Sequence, residues 1–181
     1  MRRLFLMAFV IGAAWPLLSA RPSAQAGAAA AAGPLMVVET AKGAIEIRLF
    51  RADAPKSVDH ILELAKANFY RGQRIHRVER TLVQFGDPQS RDVSKRDYWG
   101  TSGSGRPIGT SEVSKKHLHT RGAVGLAHGG NAQLADSQIY ILKAASPNLD
   151  GVHVVIGQVT KGMEVVDKLA VSDVIKLVTV K

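Results

Sequence analysis

Cysteine is absent from all 181 residues. That excludes disulfide staples, cysteine nucleophiles, iron–sulfur clusters and cysteine zinc sites. No GxSxG or HExxH occurs, so neither a hydrolytic serine elbow nor a zinc-protease helix is proposed by the sequence. The glycine-rich run Gly103-Ser104-Gly105-Arg106-Pro107-Ile108-Gly109 misses the GxGxxG spacing by one residue and gives no dinucleotide site. Among the six histidines only His117 and His119 are near one another, and no metal or other cofactor is expected. Acidic residues are outnumbered, 15 against 24 Lys plus Arg. The basic excess is spread too diffusely to establish a nucleic-acid ligand.

What is present begins with an amino end unlike the rest. Arg2 and Arg3 precede an apolar run from Leu4 to Ala14, and Ala24-Gln25-Ala26 fits a signal-peptidase site. We therefore expect residues 1–26 to be a cleaved signal peptide, with export to the periplasm. The run is short for a membrane span of roughly 20 residues, and no second segment could serve as one. Cleavage removes three arginines and no acid, lowering the formal charge from +9 to +6. Residues 27–33, GAAAAAG, read as a flexible spacer, and one domain is expected over residues 34–181. A domain of that size can stand alone, and no coiled-coil run announces a partner; a monomer is the expectation.

Along the domain, the hydrophobic pattern switches between two periods. LMVVETAKGAIEIRLF reads as two strands turning at Gly43, with Ile45, Ile47 and Leu49 on one face. Pro55 opens a helix whose stripe is Val58, Ile61, Leu62 and Ala65. RIHRV, TLVQF, AVGLAH, SQIYILKA, VHVVIGQV and DVIKLVTVK are extended, and KGMEVVDKLA is a short amphipathic helix. Between Asp87 and Leu118 lies a long irregular stretch, unusual in a compact domain and often functional. Many strands with two helices point to an antiparallel sheet or barrel covered at its ends.

IHRVERTLVQFGDP, RGAVGLAHGG, DSQIYILKA and NLDGVHVVIGQV stand in the order and spacing of the cyclophilin family of peptidyl-prolyl cis/trans isomerases. The resemblance runs from about Leu35 to Lys181 and is similar to the compact bacterial exported branch. It implies a mainly β fold, a closed eight-stranded antiparallel barrel capped by two α-helices, with a substrate groove outside the barrel. It implies catalysis of rotation about X–Pro bonds in proline-containing unfolded or flexible polypeptides. Such a reaction has a barrier of roughly 18–20 kcal/mol and breaks no bond.

The resemblance carries over residue by residue. Arg77, in His76-Arg77-Val78, matches the catalytic arginine. Leu82, Val83, Tyr140 and Leu149 match the hydrophobic pocket, and Gln84 and Gln138 match amides that orient the peptide. Ala127-His128 stands at the family's Ala-Asn pair, His153 at the groove histidine, and Asn148 at a rim position where many members have tryptophan. That last exchange should weaken binding of the cyclic peptide drug associated with the family.

ERTLVQFGDP is one residue shorter than the common arrangement. Holding Gln84 in the glutamine position leaves Thr81 in place of an aromatic; a later gap would instead put Leu82 there and Phe85 on the glutamine. The Gln84 register is the one adopted. Two further readings stay open: a non-catalytic proline-peptide-binding module with this fold, and an envelope scaffold tied by its amino segment.

Overall fold

A computed structural model describes residues 33–181. The expected signal peptide and all of the spacer except Gly33 lie outside the described residues. Among the described residues eight strands are formed: β1 (Leu35–Thr40), β2 (Gly43–Leu49), β3 (Arg77–Val78), β4 (Leu82–Phe85), β5 (Ala123–Leu126), β6 (Ile139–Leu142), β7 (Val155–Lys161) and β8 (Ile175–Val180). Two α-helices accompany them among the described residues, α1 (Pro55–Lys66) and α2 (Met163–Lys168). The long stretch after β4 holds two short 3-10 turns, Pro88–Arg91 and Val93–Tyr98, and is otherwise irregular to β5.

Helix α1 starts at Pro55, whose missing amide has no intrahelical partner to lose. Its cap residue Ala54 offers no side-chain acceptor. The carboxylate of Glu112 supplies one instead, accepting from the backbone N–H groups of Lys56 at 3.0 Å and Ser57 at 2.8 Å. A first-turn need is thus met from the irregular stretch, which it ties to the helix. The expected stripe of Val58, Ile61, Leu62 and Ala65 is buried, joined by Leu64.

The strands form one antiparallel sheet in the order β3-β4-β6-β5-β7-β2-β1-β8. It curls around the main core but does not close, which corrects the closed barrel expected from the sequence. The sheet is an open half-barrel with β3 and β8 as its edges. The reason is local. β3 has only two residues, and both pair with β4. Across the gap stands one isolated bridge, Arg74 with Val174, before β3 begins. A few backbone bonds support it, such as Ile75 N–H to Asp173 at 2.9 Å and Ile175 N–H to Gln73 at 2.8 Å. Closure needs a continuous ladder between first and last strands, and no such ladder forms.

Strand alternation sorts side chains between two apolar clusters. Val83 and Phe85 of β4, Val124 and Leu126 of β5, and Ile139 and Ile141 of β6 enter the main core with α1 and β1–β2. The intervening Leu82, Ala123, Tyr140 and Leu142 form a smaller cluster on the opposite face with Val155, flanked by Phe50, Ala127 and Leu149. Phe50, directly after β2, is covered by the stacked ring of His117, centroids 3.8 Å apart.

Candidate active site

A cavity of about 730 Å³ opens on the face carrying the smaller cluster. One wall is the sheet: Arg77 from β3, Leu82 and Gln84 from β4, Tyr140 from β6, and Gln138 just before β6. Leu149, at the end of the 3-10 turn Pro147–Leu149, and His153 complete that side. The far wall is Gly100–Gly103 of the irregular stretch with Pro107, Leu134 and Asp136. Ala127 and His128, directly after β5, lie between the two.

Of the residues proposed from sequence, nine therefore line one cavity. Val83 and Asn148 do not. Val83 is fully buried in the main core because it alternates with Leu82 and Gln84. Asn148 is exposed. Phe85 is also in the core, and Gln84 is the residue that faces the groove.

The polar part of the cavity is a chain of hydrogen bonds. Arg77 and Gln84 are direct partners across β3–β4. The Arg77 Nη1 donates to Gln84 Oε1 at 3.1 Å, Gln84 Nε2 donates to Gln138 Oε1 at 2.7 Å, and Gln138 Nε2 donates to the carbonyls of Gly100 at 2.9 Å and Ser102 at 2.7 Å. The amides thus connect the cation to the opposite wall. Arg77 is held from outside by Glu79, which accepts from Nε at 2.7 Å and lies 2.6 Å from Nη2. Its side chain remains half exposed and keeps donors available to a ligand. Glu79 was not singled out in the sequence, although it stands two residues after Arg77, just past the end of β3.

The far wall is fixed by buried Asp87. Its carboxylate accepts from the N–H groups of Gln89 at 2.7 Å, Gly100 at 2.6 Å and Ser102 at 3.1 Å. One acid thereby shapes the start of the irregular stretch and the loop facing Arg77.

His76 turns away from Arg77 and packs against Gly100, where an added Cβ would lie 3.3 Å from the imidazole Cδ2. Among the described residues neither ring nitrogen has a hydrogen-bond partner. Burial, outweighing the attraction of Asp87, lowers the His76 pKa from the usual 6.5. The folded protein thus takes up this proton at lower pH than the unfolded chain, so stability falls as pH drops below the unfolded value. Urea unfolding between about pH 7.5 and 5.5 should show a shallower decline for His76→Phe than for the parent. Part of the slope will persist, because burial lowers His153 in the same direction. Equal slopes would remove His76 from this account.

His153 donates from Nδ1 to the Leu126 carbonyl at 3.1 Å and meets the Tyr140 ring edge-on, centroids 5.9 Å apart. His128 stacks on it at 4.0 Å. The Gly130 N–H approaches His128 Nδ1 at 3.2 Å, and Nε2 lies 3.2 Å from the Val152 carbonyl. These contacts suit Nδ1 as the acceptor and Nε2 as the donor. Both histidines are held by backbone groups, and among the described residues neither is hydrogen-bonded to a carboxylate. His117 and His119, adjacent but one in sequence, have separate partners: His117 bonds Asp53 at 2.7 Å and His119 bonds Asp150 at 2.8 Å.

An arginine with free donors beside an apolar wall, and two amides between it and a backbone loop, suits an extended peptide with a small ring seated on Leu82, Tyr140 and Leu149. Nothing in the arrangement prepares a nucleophile.

The family model for cyclophilin type peptidyl-prolyl cis-trans isomerases matches residues 35–180. A peptidyl-prolyl cis-trans isomerase of Helicobacter pylori is 35% identical over 144 residues, covering 78% of this chain and 83% of that protein. Peptidyl-prolyl cis-trans isomerase B of Bacillus subtilis is 36% identical over 138 residues, covering 76% and 90%. Among solved structures, a cyclophilin type isomerase of Cryptosporidium parvum superposes with a TM-score of 0.71 at 22% identity, covering 81% of this chain and 96% of that one. The cavity, the fold and these relationships agree, and the chain belongs to the cyclophilin family: it is a peptidyl-prolyl cis/trans isomerase acting on X–Pro bonds of proline-containing polypeptides.

Proposed function

We propose that this isomerase works by arginine-assisted stabilisation of the twisted amide. During rotation the proline nitrogen loses amide resonance and becomes a better hydrogen-bond acceptor. A fixed cation that meets it then stabilises the twisted state more than either planar one, which is what acceleration requires. The observation that carries this reading is Arg77 itself: half exposed on the cavity wall, braced by Glu79 and Gln84, and facing the same space as Leu82, Tyr140 and Leu149. The apolar residues hold the proline ring, and Gln84, Gln138 and the backbone at Ala127-His128 hold the chain on the other side of the rotating bond.

Exchange NMR on a short X–Pro peptide tests it with Arg77→Lys. Lysine keeps the charge but lacks the planar set of donors that reaches both the amide nitrogen and the neighbouring carbonyl. Partial recovery of the acceleration is expected; full activity would leave only a point charge at work.

The clients in this reading are exported polypeptides, whose slow X–Pro isomerisation can limit folding. What supports export is the amino-terminal sequence, with Arg2-Arg3, the apolar run and Ala24-Gln25-Ala26. Among the described residues no helix is long and apolar enough to cross a membrane. Amino-terminal sequencing of protein recovered from cells should begin at Gly27 or within a few residues. An intact Met1 on the dominant soluble species would reject cleavage.

A further inference from the structure

Tyr140 brings a phenol into an otherwise apolar wall, and the structure shows where its hydroxyl goes. The oxygen lies 2.7 Å from Nε2 of His119, whose side chain is 1% exposed. On the other side of that imidazole, Asp150 Oδ1 accepts from both the His119 backbone N–H and Nδ1, each at 2.8 Å. Because Nδ1 carries the proton toward the carboxylate, Nε2 offers a lone pair and the phenol donates to it. The two bonds to His119 in turn hold the Asp150 carboxyl below its usual range.

The tyrosine ring also has a seat cut for it. A Cβ at Gly125, the partner of Tyr140 across β5–β6, would fall 2.3 Å from the hydroxyl oxygen, 2.4 Å from Cζ and 2.8 Å from Cε2. No side chain larger than hydrogen fits there while the ring stays in place. The ring is therefore laid flat over a glycine and pinned at its far end.

A phenol that lost this partner would have a buried donor unsatisfied. Its cheapest relief is rotation toward water, which takes the ring out of the wall.

We propose that His119, oriented by Asp150, is a positioning residue for substrate capture, fixing the Tyr140 ring as a rigid apolar wall of the groove. This rests on the groove being the X–Pro site. His119 touches no substrate in this arrangement; it acts through the hydroxyl.

A double-mutant cycle separates that role from a merely structural one. In folded His119→Leu, KM for an X–Pro peptide should rise about 3- to 10-fold, the worth of one hydrogen bond, with kcat within about twofold of the parent. His119→Gln, which can still bond the phenol, should recover part of the loss. In a Tyr140→Phe background, His119→Leu should change KM by less than about twofold, since the hydroxyl through which it acts is gone. An equal rise in KM in both backgrounds would overturn the proposal. Should His119→Leu not fold, His119→Ala, which also removes the bond to the phenol, takes its place in the cycle.

The second readout does not depend on catalysis. In ¹³C-tyrosine NMR, loss of the His119 bond should speed flipping of the Tyr140 ring about tenfold or more. An unchanged flip rate in folded His119→Leu, which removes the bond, would also overturn the proposal. If the parent accelerated no exchange, the substrate-site reading would fail by itself. Ring flipping and the affinity for a proline peptide would still decide the role of His119.

Discussion

Replacing Arg77 with alanine should leave a folded protein whose acceleration of X–Pro isomerisation is about 10²–10³-fold lower, corresponding to roughly 2.7–4 kcal/mol of lost transition-state stabilisation. The fold should survive because the guanidinium belongs to neither apolar cluster. Its side chain is half exposed, and its bonds among the described residues run to Glu79 and Gln84. An exposed ion pair of this kind contributes about 0–1 kcal/mol to stability. Melting temperature and circular dichroism should therefore stay close to the parent. Peptide affinity should fall much less than exchange, since the apolar wall and the two amides remain. Near-parental exchange from folded R77A would sink the arginine-assisted mechanism. Parental binding with greatly slowed exchange would show that the cation serves the twisted state rather than capture.

Gln138→Leu should be the next most damaging change, through a different parameter. The amide of Gln138 joins the two sides of the cavity: it accepts from Gln84 and donates to the carbonyls of Gly100 and Ser102. Leucine fills similar volume but leaves Gln84 Nε2 and both carbonyls unpaired in a partly buried place. We expect a fall in kcat/KM of about 10- to 100-fold, most of it in KM, and about 1–3 kcal/mol less stability. Gln138→Glu is the sharper variant. It keeps the acceptor for Gln84 but turns a carboxylate toward two carbonyl oxygens, so it should do no better than leucine. Activity retained in Q138E would mean that the donor to the far wall is dispensable. Steady-state kinetics beside urea unfolding distinguishes a loosened wall from a merely weakened fold.

Much of this site was legible because strand alternation is a local property. A period of two sends Val83 and Phe85 inward and Leu82 and Gln84 outward without reference to the rest of the chain. The choice between the two registers of the shortened ERTLVQFGDP segment is of the same kind, since Phe85 fills the core and Gln84 faces the cavity. The helix at Pro55, the turn at Gly43 and the succession of extended segments along the chain were legible for similar reasons. A proline at a first turn, a glycine at positive φ and an apolar period each act within a few residues.

What escaped the sequence depends on partners distant along the chain. His119 looked like half of a His-x-His pair with His117. Its functional contacts are instead Tyr140, 21 residues on, and Asp150, 31 residues on. Asp87 gave no signal because its three donors are spread from Gln89 to Ser102. The resemblance supplied a tyrosine for the pocket but not the glycine beneath it, because Gly125 meets that ring only when β5 and β6 pair.

Sequence by itself thus determined which face of each strand is apolar, where the helices begin, and which family motifs the chain carries, since periodicity, turn chemistry and motif identity are written in neighbouring residues. Tertiary structure alone decided that the sheet stays open between β3 and β8, that Glu79 braces Arg77, and that His119 and Asp150 stand behind Tyr140. Each of those outcomes depends on how far a two-residue strand can extend its ladder, or on side-chain hydrogen bonds that exist only once the strands and loops have docked.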